Sequence, residues 1–120
     1  MLIVKRSEES LAEQVIRADN FLLRLVGLMG RTGMDPNKAV MIEPCRQVHS
    51  WFVFFSLDLL FLDEQNIVLS KISYFSPFKI SPKIGGARKV VEFTSGTLDG
   101  VDVVIGDEIL IHPRDIANIS

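Results

Sequence analysis

The chain predicts a mainly β fold: a sandwich or roll of short antiparallel strands with one short N-terminal helix. Three observations carry this expectation. Short β-like runs follow one another from Ala39 onward, at a spacing of about eight to twelve residues. Turn-forming Gly, Pro, Asn and Asp separate them. Only one segment, beginning at Asp19, carries clear helical spacing.

In order along the chain, residues 2–5 read as a first strand. Residues 13–18 read two ways. Ser10 with Glu13 three residues later forms a capping-box signature for a helix, while Val15-Ile16 suits a strand. Asp19 is a good N-cap for a helix whose apolar stripe is Phe21, Leu22, Leu25, Leu28 and Met29. Gly30 and Gly33 stop it, and Gly27 inside it suggests close packing. Residues 39–42, 48–55 and 57–62 read as strands. The segment Asp63-Glu64-Gln65-Asn66 reads as a hairpin loop, since Asn tolerates positive φ, with its partner strand over 67–75. Pro77 and Pro82 exclude a central strand between them, and Gly85-Gly86 extends that loop. Strands are expected again over 89–94, 101–105 and 109–111, the last two flanking a tight turn at Gly106-Asp107.

The 120 residues, 48% hydrophobic and 23% charged, suit one globular domain over 1–120 and not a disordered chain. A formal charge of −2 lacks the basic footprint of a nucleic-acid binder, so no nucleic-acid partner is expected. Cys45 is the single cysteine, which excludes an internal disulfide. The most apolar stretch, 48–62, is interrupted by His49, Ser50, Ser56 and Asp58, so no membrane span is expected. The N-terminus lacks the long apolar stretch of a secretory signal, and a cytoplasmic location is the expectation.

Several fragments, in order, then stand out: Arg24 with Gly27-Leu28-Met29 and Arg31, Cys45 with His49-Ser50, and Leu57-Asp58 leading to Phe61-Leu62-Asp63. Pro77, Glu92 with Gly96, and Gly106-Asp107 follow. Together they resemble domain-of-unknown-function family 192 over nearly the whole chain. The resemblance implies a jelly-roll-like β fold and favours a strand over 13–18. It carries no established activity and therefore no catalytic role. Val53 stands where family members often have methionine, and Asn66 where a turn glycine is common.

Asp58 is the most informative polar residue. Alternation places it with Leu60 and Leu62, while Leu57, Leu59 and Phe61 face the other way. With both faces apolar the strand should be buried, and a buried carboxylate needs a partner. Arg24 and Arg31 are the candidates, because a guanidinium fork can hold a carboxylate with two parallel bonds. Glu92, on a face with Val90 and Thr94, is a candidate for the same cluster. The cluster is either an ion pair pinning helix to sheet or the polar floor of a ligand site.

Cys45 and His49 could form a nucleophile and base, and with His112 part of a metal site. Zinc sites usually need three or four protein ligands, and residues four apart on a strand are about 13 Å apart. No catalytic residue, metal or cofactor is therefore assigned. Between Glu64 and Glu92 no acidic residue occurs, and Lys79, Lys83, Arg88 and Lys89 on the Pro/Gly loop and its exit are anion-binding candidates. Trp51, Phe52 and Phe54 are aromatic surface candidates for a pocket or an oligomer interface.

The leading expectation is a non-catalytic binding domain for a small anionic ligand or a partner protein. The alternatives are a hydrolase or metal-assisted enzyme using Asp58, His49 and Cys45, and a structural self-association module.

Overall fold

The two sheets of this protein are built around one doubly buried strand. The computed structural model describes residues 1–18, 35–50 and 54–118. The expected helix over 21–29, together with Arg24, Arg31 and residues 51–53, lies outside those residues. Nine strands are described: β1 (Leu2–Val4), β2 (Ser10–Ala12), β3 (Gln14–Ala18), β4 (Lys38–Ile42), β5 (Leu57–Leu62), β6 (Val68–Phe75), β7 (Lys89–Thr94), β8 (Ile109–Ile111) and β9 (Ile116–Asn118). They form a three-stranded sheet, β2-β1-β8, and a six-stranded sheet, β6-β5-β7-β4-β3-β9. Most pairs are antiparallel, while β3 runs parallel to both β4 and β9.

Strand alternation sorts the core into two apolar clusters, one on each face of the large sheet. Leu60, Leu62, Val91, Phe93 and Met41 pack toward Leu2, Val4, Leu11 and Ile109 of the small sheet. Leu57, Leu59, Phe61, Val90, Val40 and Ile42 form the opposite cluster with Val48 and Ala87. Every residue of β5 is buried, as its two apolar faces require.

Asp58 is the polar exception in that strand and is 0% exposed. Its Oδ1 accepts the backbone N–H of Tyr74 at 2.9 Å. Its Oδ2 accepts the N–H groups of Gly96 at 3.0 Å and Leu98 at 2.9 Å. Opposite it, Leu57 pairs with Phe75 and Leu59 with Ile72, so two residues of β6 face one residue of β5. That is a β-bulge, and Tyr74 occupies it at φ 55°. The bulge turns the Tyr74 amide out of the ladder and onto the carboxylate. The phenol of Tyr74 then donates to Asp99 at 2.8 Å, fastening the loop after β7 from outside.

The hairpin loop forms as expected. Asn66 sits at φ 63°, and Asp63 Oδ1 accepts the amides of Gln65 and Ile67, each at 2.9 Å. The strand favoured over a capping-box helix for residues 13–18 forms: Ser10–Ala12 and Gln14–Ala18 are strands, since pairing along β1, β4 and β9 outweighs a local capping preference. Two expectations change. Residues 101–105 are not a strand. Asp107 accepts the Val104 amide at 2.8 Å, Lys71 donates to the Val103 carbonyl at 3.0 Å, and Arg6 holds both Asp102 and Asp107. Residues 48–50 make only an isolated bridge, His49 with Ile80, where a continuous strand was expected. Their partner segment contains Pro77 and Pro82, which donate no amide. Side-chain hydroxyls substitute: Ser81 Oγ accepts the Val48 amide at 2.9 Å, and Ser50 Oγ accepts that of Lys79 at 2.8 Å.

Asp58→Ala would leave three inward amides without their acceptor, at about 1–3 kcal/mol for each such buried group. The expected loss of unfolding free energy is about 3–5 kcal/mol, read by urea denaturation. Asp58→Asn should also destabilise, because its amide group would present a donor to donors. A change within about 0.5 kcal/mol, as at an ordinary surface site, would contradict this role.

Candidate functional site

The Pro-containing strap, residues 76–88, runs antiparallel to residues 45–50. It is held by Ser50 N–H to Lys79 O at 2.8 Å, Ser81 N–H to Val48 O at 2.7 Å and Ile84 N–H to Arg46 O at 2.9 Å. Cys45 N–H donates to Arg88 O at 3.0 Å, closing the far end. Between the two segments lies an open cleft of about 610 Å³, lined by Pro44, Cys45, Arg46, Gln47, Lys83, Ala87 and Arg88. Its size falls in the range of small-molecule sites.

Among the described residues, several cations of this protein are paired with acids. Arg6 bridges Asp102 and Asp107, Arg17 pairs with Glu43 at 2.8 Å, and Lys5 approaches Glu108 at 3.9 Å. Arg6 also holds both of its aspartates below the usual carboxylate range by direct hydrogen bonds. Arg46, Lys83 and Arg88 make no ion pair among the described residues, and all three line the cleft. No acidic side chain among the described residues lines it with them.

The predicted anion-binding residues therefore separate. Lys83 and Arg88 come to the cleft. Lys79 is exposed farther along the strap, tied by its backbone to Ser50. Lys89 turns away: it opens β7, lies half-buried, contacts Glu43 at 3.6 Å and donates to Asn66 Oδ1. Sequence reasoning missed Arg46. It stands beside Cys45, outside the acid-free stretch, and only the strap's pairing brings it opposite Lys83 and Arg88.

The expected polar cluster is also divided. Asp58 pairs across the ladder with Phe93, and Glu92 with Leu59 and Val40, so the two carboxyls lie on opposite faces of the large sheet. Asp58 is satisfied by backbone amides, while its candidate arginines lie outside the described residues. Glu92 is 0% exposed, and neither of its oxygens has a hydrogen-bond partner among the described residues. Burial pushes its carboxyl well above the usual range, so the neutral acid is the favoured form.

Cys45 is half-buried against the apolar cluster of that same face, and its thiol donates to the Gln47 carbonyl at 3.2 Å. Desolvation by burial is the main cause that raises its pKa. A raised pKa suppresses the thiolate, which is the nucleophile. His49 is half-buried opposite Ile80, and His112 caps the 3-10 turn Pro113–Asp115 by accepting the Arg114 amide at 3.1 Å. Among the described residues, no three His, Cys, Asp or Glu side chains form a group able to hold a metal ion. Of the aromatic candidates, Phe54 is described and is 60% exposed.

Two outcomes follow from these environments. A raised folded pKa means that the neutral Glu92 costs nothing extra below its ordinary value of 4.5, and that stability is lost as pH rises through the folded value. The parent should therefore fall relative to Glu92→Gln above pH 4.5, by at most about 1.4 kcal/mol per pH unit. Denaturant curves from pH 4 to 9 read the difference, and parallel profiles would refute it. Cys45 in the folded protein should react with iodoacetamide at pH 7 more slowly than free cysteine, and an equal rate would show an accessible thiolate.

Comparison with known proteins accords with this architecture. A UPF0127 protein of Thermococcus sibiricus is 32% identical over 117 residues, covering 91% of this chain and 73% of that relative. A UPF0127 protein of Pyrococcus horikoshii is 30% identical over 115 residues, covering 90% and 96%. Two solved structures share the fold, each with a TM-score of 0.62. One, from Sinorhizobium meliloti and described provisionally as a transcription regulator, is 24% identical and covers 80% of this chain and 79% of its own. The other, a protein of unknown function from Novosphingobium aromaticivorans, is 20% identical and covers 79% and 72%. No helix among the described residues is long and apolar enough to cross a membrane. The family model described as "Uncharacterized ACR" matches residues 2–111, and the chain belongs to that family, domain-of-unknown-function family 192.

Proposed function

We propose that this domain binds a small anion, a carboxylate or phosphate, in the cleft between residues 44–47 and 83–88. The observation that carries the reading is the convergence there of Arg46, Lys83 and Arg88, none of which has an ion-pair partner among the described residues. Three like charges around one cleft repel each other, and a bound anion relieves that repulsion. Two guanidinium groups add planar forks suited to a carboxylate or phosphate. Gln47 and the backbone of the strap supply neutral polar edges beside them.

The hydrolase alternative finds less support. Asp58 has both oxygens engaged by amides, and the Cys45 thiol is driven toward its protonated form. A binding role needs neither group to react.

Citrate and inorganic phosphate should raise the unfolding temperature of the parent. At ten times Kd the gain is about 1.4 kcal/mol. Arg46→Glu and Arg88→Glu should each abolish the gain, and added KCl should weaken it by screening exposed charges. An unfolding temperature unmoved by either anion at low salt would overturn the reading.

A further inference from the structure

We propose that the anion held in this cleft carries an apolar tail. The fitting ligand class is a free, single-chain, medium-length carboxylate, with its head among Arg46, Lys83 and Arg88 and its tail along the strap over Ile80. This rests on the anion-binding reading above and adds the chemistry of the rest of the ligand.

The inner side of the strap is occupied by buried Val48, Ser50 and Ser81. Ile80 faces away from them and is 60% exposed. It pairs with His49, and cross-strand partners share a face. Gln47, two residues before His49, returns to that face by alternation and forms part of the cleft wall. Its Nε2 donates to the Ser81 carbonyl at 3.0 Å, which lays the carboxamide along the strap. Gln47 therefore joins the cleft, which it lines with the cations, to the face that carries His49 and Ile80.

Beyond Ile80 the surface becomes aromatic. Phe78 is 47% exposed and packs edge-to-face on Phe54 with ring centroids 5.8 Å apart. Phe78 stands at φ 57°, a conformation unfavourable for a bulky side chain, and its amide is fixed by the Ser50 carbonyl at 2.9 Å. A single exposed apolar residue needs no explanation, but several together beside a ligand-sized cleft mark a binding surface.

Charge and length select the occupant. A neutral ligand would leave the three cations without counter-charge, and an inorganic ion would leave Ile80 and the ring pair uncovered. From Lys83 to Ile80 the strap spans about 10 Å, at roughly 3.3 Å per extended residue. That is the scale of a medium-length alkyl chain.

Isothermal titration of the parent with butyrate, hexanoate, octanoate and decanoate, each below its micelle concentration, tests the idea. Full burial of a methylene tightens binding about fourfold, so half-burial on an open surface predicts about twofold per methylene. Ile80→Thr combined with Phe78→Asn should flatten that gain while leaving phosphate affinity unchanged. Asn tolerates the positive φ, and circular dichroism confirms folding of the variant. Phosphate bound through Arg46 and Arg88 with no gain along the chain series overturns this inference and leaves anion binding standing. Failure of phosphate and every carboxylate to bind overturns both. A chain-length gain that survives Arg88→Glu, or tighter binding to anionic vesicles than to decanoate, also overturns the proposed ligand.

Discussion

A single carboxylate organises the centre of this fold. Asp58 sits in the one strand buried on both faces and satisfies three amides from two different segments. An ionised carboxylate offers acceptors only, on two oxygens, and so can meet donors arriving from the bulge of β6 and from the loop after β7. Serine would offer one oxygen, and asparagine would present a donor on one side. The bulge, the positive φ of Tyr74 and the left-handed turn at Gly96, φ 93°, all serve to aim amides at that point. In aiming them, they also fix the registers of β5 against β6 and β7, which set which side chains enter each apolar cluster.

That arrangement separates stability from binding. Asp58 and Glu92, carboxyl groups on opposite faces of the large sheet, meet opposite fates. The first is satisfied by the backbone, whereas the second is buried without a partner among the described residues and held toward its neutral form. Neither supplies a free charge to the surface. Three cations, Arg46, Lys83 and Arg88, gather where the strap meets residues 44–47. The strap can carry them because prolines prevent it from completing a regular ladder. Two serine hydroxyls hold it instead.

Much of the strand order was legible in the residues. The run 57–62, with no polar position except Asp58, already required burial on both faces, and it is β5. The loop at Asp63 to Asn66 was readable because positive φ has a strong residue preference. Residues 89–94 emerge as β7 without change. Ser10 and Glu13 also satisfy the chemistry of a helix cap, and parallel pairing of Gln14–Ala18 with β4 and β9 decides between the two readings in favour of the strand. An error arose where long-range contacts overrode a local signal. Residues 101–105 carry β-branched side chains, but Asp107 and Lys71 take the backbone groups that a ladder would have used.

The candidate site divides along the same line. Charge and burial of the central strand are properties of residue type and spacing, so the sequence alone determined them. Lys83 and Arg88 were visible as cations without nearby acids. The removal of Lys89 by Glu43 and Asn66, the arrival of Arg46, and the sheet that parts Asp58 from Glu92 are relations between distant segments. Only the tertiary structure decided those, because a salt bridge or a cleft depends on distances across the fold that spacing along the chain does not encode.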